Sequence, residues 1–293
     1  MLQHLSPHAL KPSRVVVIGA HGFVGRAILR RLERDGVSAL GLARPDVDLL
    51  AADAADRLAA VLRPEDSVVA AAAMAPCKDG DMLRDNVTLA LALARACARA
   101  SVAHLVNVSS DAVYADSASP LTESSPMAPD TLHGVMHLAR ELIFKTEIKS
   151  PLAMLRPSLI YGAGDPHNGY GPNRFRRLAA QARPIVLFGE GEERRDHVLI
   201  DDMAELAARV IYRRSIGALN IATGVVTSFR DIAEAVVKLS DNRVPIEASP
   251  RQGPMPHNGY RPFDIAACRA AFPDFVYVPL LQGLEKAQRD ETK

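Results

Sequence analysis

His133 and His137 lie four residues apart in LHGVMHLARE, the spacing that puts both side chains on one face of a helix. An imidazole titrating near 6.5 takes up and releases a proton around neutral pH, so His133 is a candidate general acid/base. Two imidazoles so spaced also suit a metal ion, but no Glu-His set or Cys cluster completes a ligand sphere, and no metal is expected. Ser110 ends the apolar run HLVNVSS. Its hydroxyl can donate a hydrogen bond to a carbonyl or accept one from an alcohol.

The strongest pattern is VVVIGAHGFVG, in which Gly19, Gly22 and Gly25 follow directly on a short apolar run. The first glycine permits a tight turn, the second lets backbone approach a diphosphate, and the third lets helix and strand pack closely. The diphosphate then sits at the positive end of the helix, against His21, Phe23 and Val24. About twenty residues further on, a carboxylate ordinarily takes the ribose hydroxyls of NAD. Here the segment reads GLARPDVDL. A guanidinium at Arg44 suits a 2′-phosphate and leans the choice toward NADP, while Asp46 leaves NAD open.

These residues need a scaffold, and the apolar pattern supplies one. Runs at 15–18, 37–43, 67–73 and 104–110 alternate with helix-like stretches at 24–34, 54–62, 82–99 and 132–149. Continuous apolar strands between amphipathic helices predict a doubly wound α/β parallel sheet of Rossmann type. A further strand reads LAMLRPSLIYG, followed by a Gly-, Pro- and Asn-rich loop over 162–173, placed where open α/β sheets bind ligands. Beyond it come a basic helix at 174–183, a strand IVLF, a helix opening at Asp201 and Asp202, a strand ALNIA, and helices near 228–240 and 279–289. The division expected is a dinucleotide-binding domain over 1–161, its sheet completed by 197–223. A smaller substrate-binding lobe takes 162–196 and 224–293. PHNGY occurs at 166–170 and again at 256–260, suggesting two similar loops at the cleft.

With 293 residues, 48% hydrophobic and 24% charged, the chain has the make-up of an ordinary globular protein. A net charge of +1 supplies no field to hold nucleic acid or a membrane surface. The apolar run from Ser67 to Cys77 is too short to span a bilayer. The amino-terminal residues lack a secretory apolar core. Three scattered cysteines form neither a disulfide framework nor a zinc pattern, and a reducing cytoplasm is the expected location.

The glycine spacing, together with DNVTLALALARACARA, VNVSSDAVYAD, LRPSLIYGAGDP, LFGEGEERRDHVLIDDMAEL and ALNIATG, resembles the extended short-chain dehydrogenase/reductases, the NAD(P)-dependent sugar-nucleotide epimerases and dehydratases. The resemblance runs from about Arg14 to Gln288. It implies cofactor contacts at Asp48 and Leu49, at Ala72 and Ala73, at His137 and at Pro157. Asn86 takes the place of a helix asparagine that supports the catalytic geometry, and Ser110 that of the hydroxyl on the reacting oxygen. Asp111 resembles the acid of the dehydratases, but Ala112 stands where those enzymes carry Glu, which argues against dehydration. Arg195 matches the arginine that contacts a nucleotide diphosphate, with Asn173, Arg174 and Arg251 as further candidates on the substrate side.

The chain departs from the family where Tyr, three residues and Lys are usual. His133 and His137 stand at those positions, and no Tyr-x-x-x-Lys occurs elsewhere. The expectation is hydride transfer at a carbinol or ketone carbon of a sugar or sugar nucleotide, by epimerisation or reduction, with His133 as acid/base. The alternative is a catalytically inactive NAD(P)-binding sensor or partner protein. Relatives often pair as homodimers through helices that correspond to Leu83–Arg99 and Leu132–Lys149.

Overall fold

The computed structural model describes residues 2–240 and 243–291. The first half runs β1 (Gln3–His4), β2 (Val15–Ile18), α1 (Phe23–Arg34), β3 (Ala39–Leu42), α2 (Ala54–Val61), β4 (Ser67–Ala70), α3 (Gly80–Ala100), β5 (His104–Val108), α4 (Leu132–Glu147) and β6 (Leu152–Pro157). The second half runs β7 (Leu159–Tyr161), α5 (Pro172–Ala180), β8 (Ile185–Phe188), β9 (Arg194–Leu199), α6 (Ile200–Tyr212), β10 (Ser215–Ile221), β11 (Val226–Ser228), α7 (Phe229–Leu239), β12 (Ile246–Ser249), β13 (Tyr260–Arg261), α8 (Ala266–Ala271) and α9 (Leu280–Glu291).

Seven strands form the central sheet in the order β1-β10-β6-β5-β4-β2-β3. Every pairing in it is parallel except β1 with β10. The apolar runs are continuous because both faces are covered. Val15, Val17, Val69 and Val106 pack with Ile28 of α1 and Met203, Leu206 and Val210 of α6. Their neighbours Val16, Ile18, Val68 and Leu105 pack with Leu58, Leu89, Leu93 and Phe144 from α2, α3 and α4. The strand order reverses at β2, which lies between β3 and β4. That reversal opens a crevice at the carboxyl ends of the strands.

Several expected boundaries move. The runs at 37–43 and 67–73 shorten to Ala39–Leu42 and Ser67–Ala70. Ala71 and Ala72 lie beyond the strand, with their backbone where a Cβ on Gly19 would fall. The strand expected over LAMLRPSLIYG breaks at Ser158 into β6 and β7. β6 stays in the central sheet, while β7 joins β9, β11 and β13 in a smaller one. Buried Asp196 of β9 fastens the break, taking hydrogen bonds from Ser158 Oγ (2.9 Å), the Thr223 and Gly224 amides (3.0 and 2.8 Å) and Thr223 Oγ1 (2.8 Å). The basic helix begins earlier than expected, with Pro172 in its first turn, a position where the missing N–H of proline does no harm. A separate apolar cluster of Tyr161, Phe175, Leu187, Leu199, Phe229 and Ile232 holds α5, α7 and β8 together. Among the described residues no helix is long and apolar enough to cross a membrane.

Candidate active site

The turn after β2 has the geometry its glycines imply. Gly19 has φ +94°, and a Cβ on it would lie 2.6 Å from the Ala72 amide nitrogen. A Cβ on Gly25 would lie 2.1 Å from the Gly19 carbonyl oxygen. α1 starts beyond Gly22 with no side-chain cap and no acidic residue in its first turn, so its leading N–H groups and positive end are left for an anion. Beside the turn lies a cavity of about 190 Å³ lined by Gly19, Arg44, Asp48, Leu49, Ala72 and Ala73, among others. The side chains nominated separately for the adenosine therefore surround one space. Asp46 is turned away, its Oδ2 accepting from the Ala43 amide at 2.8 Å. Arg44 reaches the rim 74% exposed, pairing with Asp48 at 3.2 Å. The Leu50 amide and then Arg44 hold the Asp48 carboxyl below its usual range.

The histidines are placed by the start of α4. Thr131 Oγ1 caps the helix, accepting from the Gly134 amide at 3.1 Å. Gly134 lets the helix meet the turn after β5, since a Cβ there would lie 2.2 Å from the Ala112 carbonyl oxygen. This contact brings His133 beside the turn that carries Ser110, whose Oγ accepts from the Ala112 amide at 3.1 Å. The His133 and His137 rings meet edge to face, centroids 4.7 Å apart. His133 Nδ1 accepts from the Cys77 amide at 3.4 Å, a contact too long to lock one tautomer. Burial holds His133 below the ordinary imidazole range, offset in part by the charge of Asp111. Burial, then the repulsion that a protonated His133 and Arg140 would exert, holds His137 well below it. Both rings are therefore neutral near pH 7.

Behind this pair, Glu141 is a buried anchor. It accepts from Ser109 Oγ (2.7 Å) and from Arg156 Nε and Nη2 (2.8 and 2.7 Å). Asn86 is also fully buried. It receives the Met74 amide (2.9 Å) and donates to the Met74 and Met82 carbonyls (3.0 and 2.9 Å), tying α3 to the segment after β4. Pro157 is buried at the end of β6.

Two expected substrate contacts face inward instead. Asp111 Oδ2 accepts from Arg261 Nε at 2.8 Å, and its carbonyl accepts from Arg261 Nη2 at 2.6 Å. Asn173 closes its own loop, with Oδ1 receiving the Gly162 amide (3.0 Å) and Nδ2 donating to Asp165 (2.8 Å). Each is buried, and a buried polar group must find a partner inside the protein. Arg195 and Arg251 do converge. Both reach Glu193, at 3.3 and 3.5 Å, and Arg251 also donates to the Phe188 carbonyl at 3.2 Å. Arg174 is half-buried nearby, its charge and that of Arg251 acting on Tyr170.

Glu193, Arg261 and His257 are neighbours of the site that sequence reasoning passed over. For His257 and Arg261 the repeated PHNGY was the one signal. In the first copy Tyr170 packs on Phe175, Phe188 and Phe229. The second, with His257 and Asn258 in the left-handed region, delivers His257 to Asp116 and Arg261 to Asp111. Among the described residues no group of three or more His, Cys, Asp or Glu could hold a metal.

Known proteins are similar to this chain in sequence and fold. The chain is 28% identical over 254 residues to a UDP-glucose 4-epimerase of Mycolicibacterium smegmatis, covering 76% of this chain and 81% of that one. It is 28% identical over 295 residues to a dTDP-6-deoxy-L-talose 4-dehydrogenase (NAD(P)(+)) of Kitasatospora kifunensis, covering 90% and 91%. Its fold matches a UDP-glucose 4-epimerase from Thermotoga maritima, solved with UDP-glucose, with a TM-score of 0.83 over 96% of this chain and 100% of that one at 19% identity. Residues 15–222 match the NAD dependent epimerase/dehydratase family, and with glycine turn, neighbouring cavity and Ser110 turn at one end of one sheet, the chain belongs to that family.

Proposed function

We propose that the protein is an NAD(P)-dependent oxidoreductase or epimerase acting at a carbinol or ketone carbon of a sugar, nucleotide-linked, with His133 as acid/base. The observation that carries this reading is the close approach of Gly134, next to His133, to Ala112 in the turn that carries Ser110, at the end of the sheet that also carries the glycine turn. The Gly19–Gly25 turn and the start of α1 would hold the cofactor diphosphate, the cavity beside Leu49 and Ala72 its adenosine, and Arg44 a 2′-phosphate. The cofactor supplies or accepts the hydride. Ser110 holds the reacting oxygen, and the uncharged His133 ring exchanges its proton. Arg195, Arg251 and Arg174, in the smaller lobe of 162–196 and 224–293, would take the substrate diphosphate, for which guanidinium groups give bidentate contacts. We further propose that the protein is cytoplasmic and pairs through α3 and α4, since Leu132, Val135 and Leu142 of α4 are exposed. No nucleic-acid partner is proposed.

The test is calorimetric titration with NAD, NADH, NADP and NADPH, followed by a screen of nucleotide sugars with the cofactor that binds. His133→Ala is expected to keep cofactor affinity and to lose about 10²-fold or more in turnover. Failure to bind any dinucleotide overturns the whole reading. Binding with no turnover of any nucleotide sugar supports the inactive sensor instead, and unchanged turnover in His133→Ala removes that residue from the mechanism.

A further inference from the structure

Arg140 lies one turn beyond His137 on α4 and is completely buried. Its Nε and Nη1 have no hydrogen-bond partner. Nη2 makes one long contact, 3.5 Å to Asn107 Oδ1 of β5, and the guanidinium lies 5.8 Å from the centre of the Phe144 ring. Among the described residues it has no ion-pair partner. The neighbouring carboxylate, Glu141, is taken by Arg156 at 2.7 Å and Lys145 at 3.2 Å. A buried cation without a counter-ion costs stability, and such groups gather where a site needs a charge. The adjoining titratable group is His137, whose Nδ1 is also buried without a partner and whose ring touches that of His133.

We propose that Arg140 is the fixed cation of the site, a positioning residue whose unpaired charge, one helical turn from His137, keeps that buried imidazole uncharged. This rests on the functional reading above. The other charged groups around the pair are already committed. Asp111, from the turn after β5, is paired with Arg261 at 2.8 Å. On α3, Arg84 pairs with Asp81 and Asp85 on the solvent side. β5 presents Asn107 and the turn after it Ser109, β6 presents Arg156 held by Glu141, and the segment after β4 presents Cys77, its thiol pushed up by burial. Arg140 is therefore a buried charge beside the pair without a counter-ion. It opposes protonation of His137, adding to burial and to the repulsion from a protonated His133.

The experiment is a histidine side-chain NMR titration of the ligand-free protein, the two rings assigned with His133→Ala and His137→Asn, in wild type, Arg140→Met and Arg140→Lys. In Arg140→Met the His137 midpoint is expected to rise by about one pH unit or more. Its urea midpoint should stay level or rise, because an unpaired buried charge is removed. Arg140→Lys keeps the charge and should retain the wild-type midpoints. Unmoved midpoints in a folded Arg140→Met overturn the proposal, as does loss of fold in Arg140→Met, which would make Arg140 a packing residue. The titration needs neither cofactor nor turnover, so its failure is separate from failure of the redox reading.

Discussion

Asp196 joins the two sheets, and removing its carboxylate should loosen the smaller one. The side chain belongs to a residue only 1% exposed and accepts four hydrogen bonds, from Ser158 Oγ, the Thr223 amide, Thr223 Oγ1 and the Gly224 amide. In Asp196→Ala the two hydroxyls can turn to other acceptors, as Thr223 Oγ1 already does toward the Val225 carbonyl at 3.3 Å. The two backbone amides cannot. At about 1–3 kcal/mol for each orphaned buried donor, the loss is roughly 2–6 kcal/mol. Asp196→Asn keeps one oxygen for Ser158 and the Thr223 amide but turns an NH₂ toward the Gly224 amide, a loss of about 1–3 kcal/mol. Equilibrium urea unfolding reads both as a lower midpoint at constant slope. On the proposed function, nucleotide-sugar affinity should fall with them while cofactor affinity holds, because Arg195 shares β9 with Asp196 and the glycine turn does not. An alanine variant within about 0.5 kcal/mol of wild type, or an asparagine variant that costs more than alanine, refutes the reasoning.

Asp202, at the start of α6, has its carboxyl pushed up to about 7 by burial, with Asp201 and Glu205 adding to the rise against the opposing Val278 amide. The folded state then holds a proton that the unfolded state releases near 3.9, so stability falls as pH rises from about 4 to 7, by up to about 4 kcal/mol. Asp202→Asn should flatten that slope and be the more stable protein at pH 8; parallel urea curves for the variant and wild type at both ends of the range would sink the argument. Gly25→Ala should cost about 1–3 kcal/mol and weaken dinucleotide binding tenfold or more, since its methyl group would overlap the Gly19 carbonyl and force α1 off β2; calorimetry and thermal unfolding read both. Arg44→Ala should weaken NADP by about 1.5–3 kcal/mol and leave NAD unchanged, and equal affinity of the wild type for the two would remove the 2′-phosphate contact.

Local rules made a good part of the molecule readable. Gly19 at φ +94° and Gly25 against the Gly19 carbonyl express steric limits on the nearest few residues, so the spacing of the glycines announces the turn. The buried strands β2, β4 and β5 follow from unbroken apolar runs, and the edge-to-face contact of His133 with His137 from the helical repeat. The ends of elements were less legible. Nothing in LRPSLIYG marks Ser158 as the point where one strand passes to another sheet, because that break is made by Asp196, 38 residues away.

The same distinction separates the residues whose placement follows from local rules from those that turned inward. Asp111 and Asn173 have the chemistry of substrate ligands, and the sequence by itself determined that such groups stand beside the catalytic strand ends. Only the tertiary structure decided that Asp111 meets Arg261, 150 residues on, and that Asn173 closes its loop on Gly162 and Asp165. It likewise decided that Arg140, indistinguishable in sequence from a solvated helix arginine, is sealed beneath α4 without a carboxylate. Backbone sterics and side-chain period act over a few residues and are written in the order of the chain. The partner of a buried polar group is chosen by whatever the folded chain brings within hydrogen-bond distance, and that choice exists only after packing.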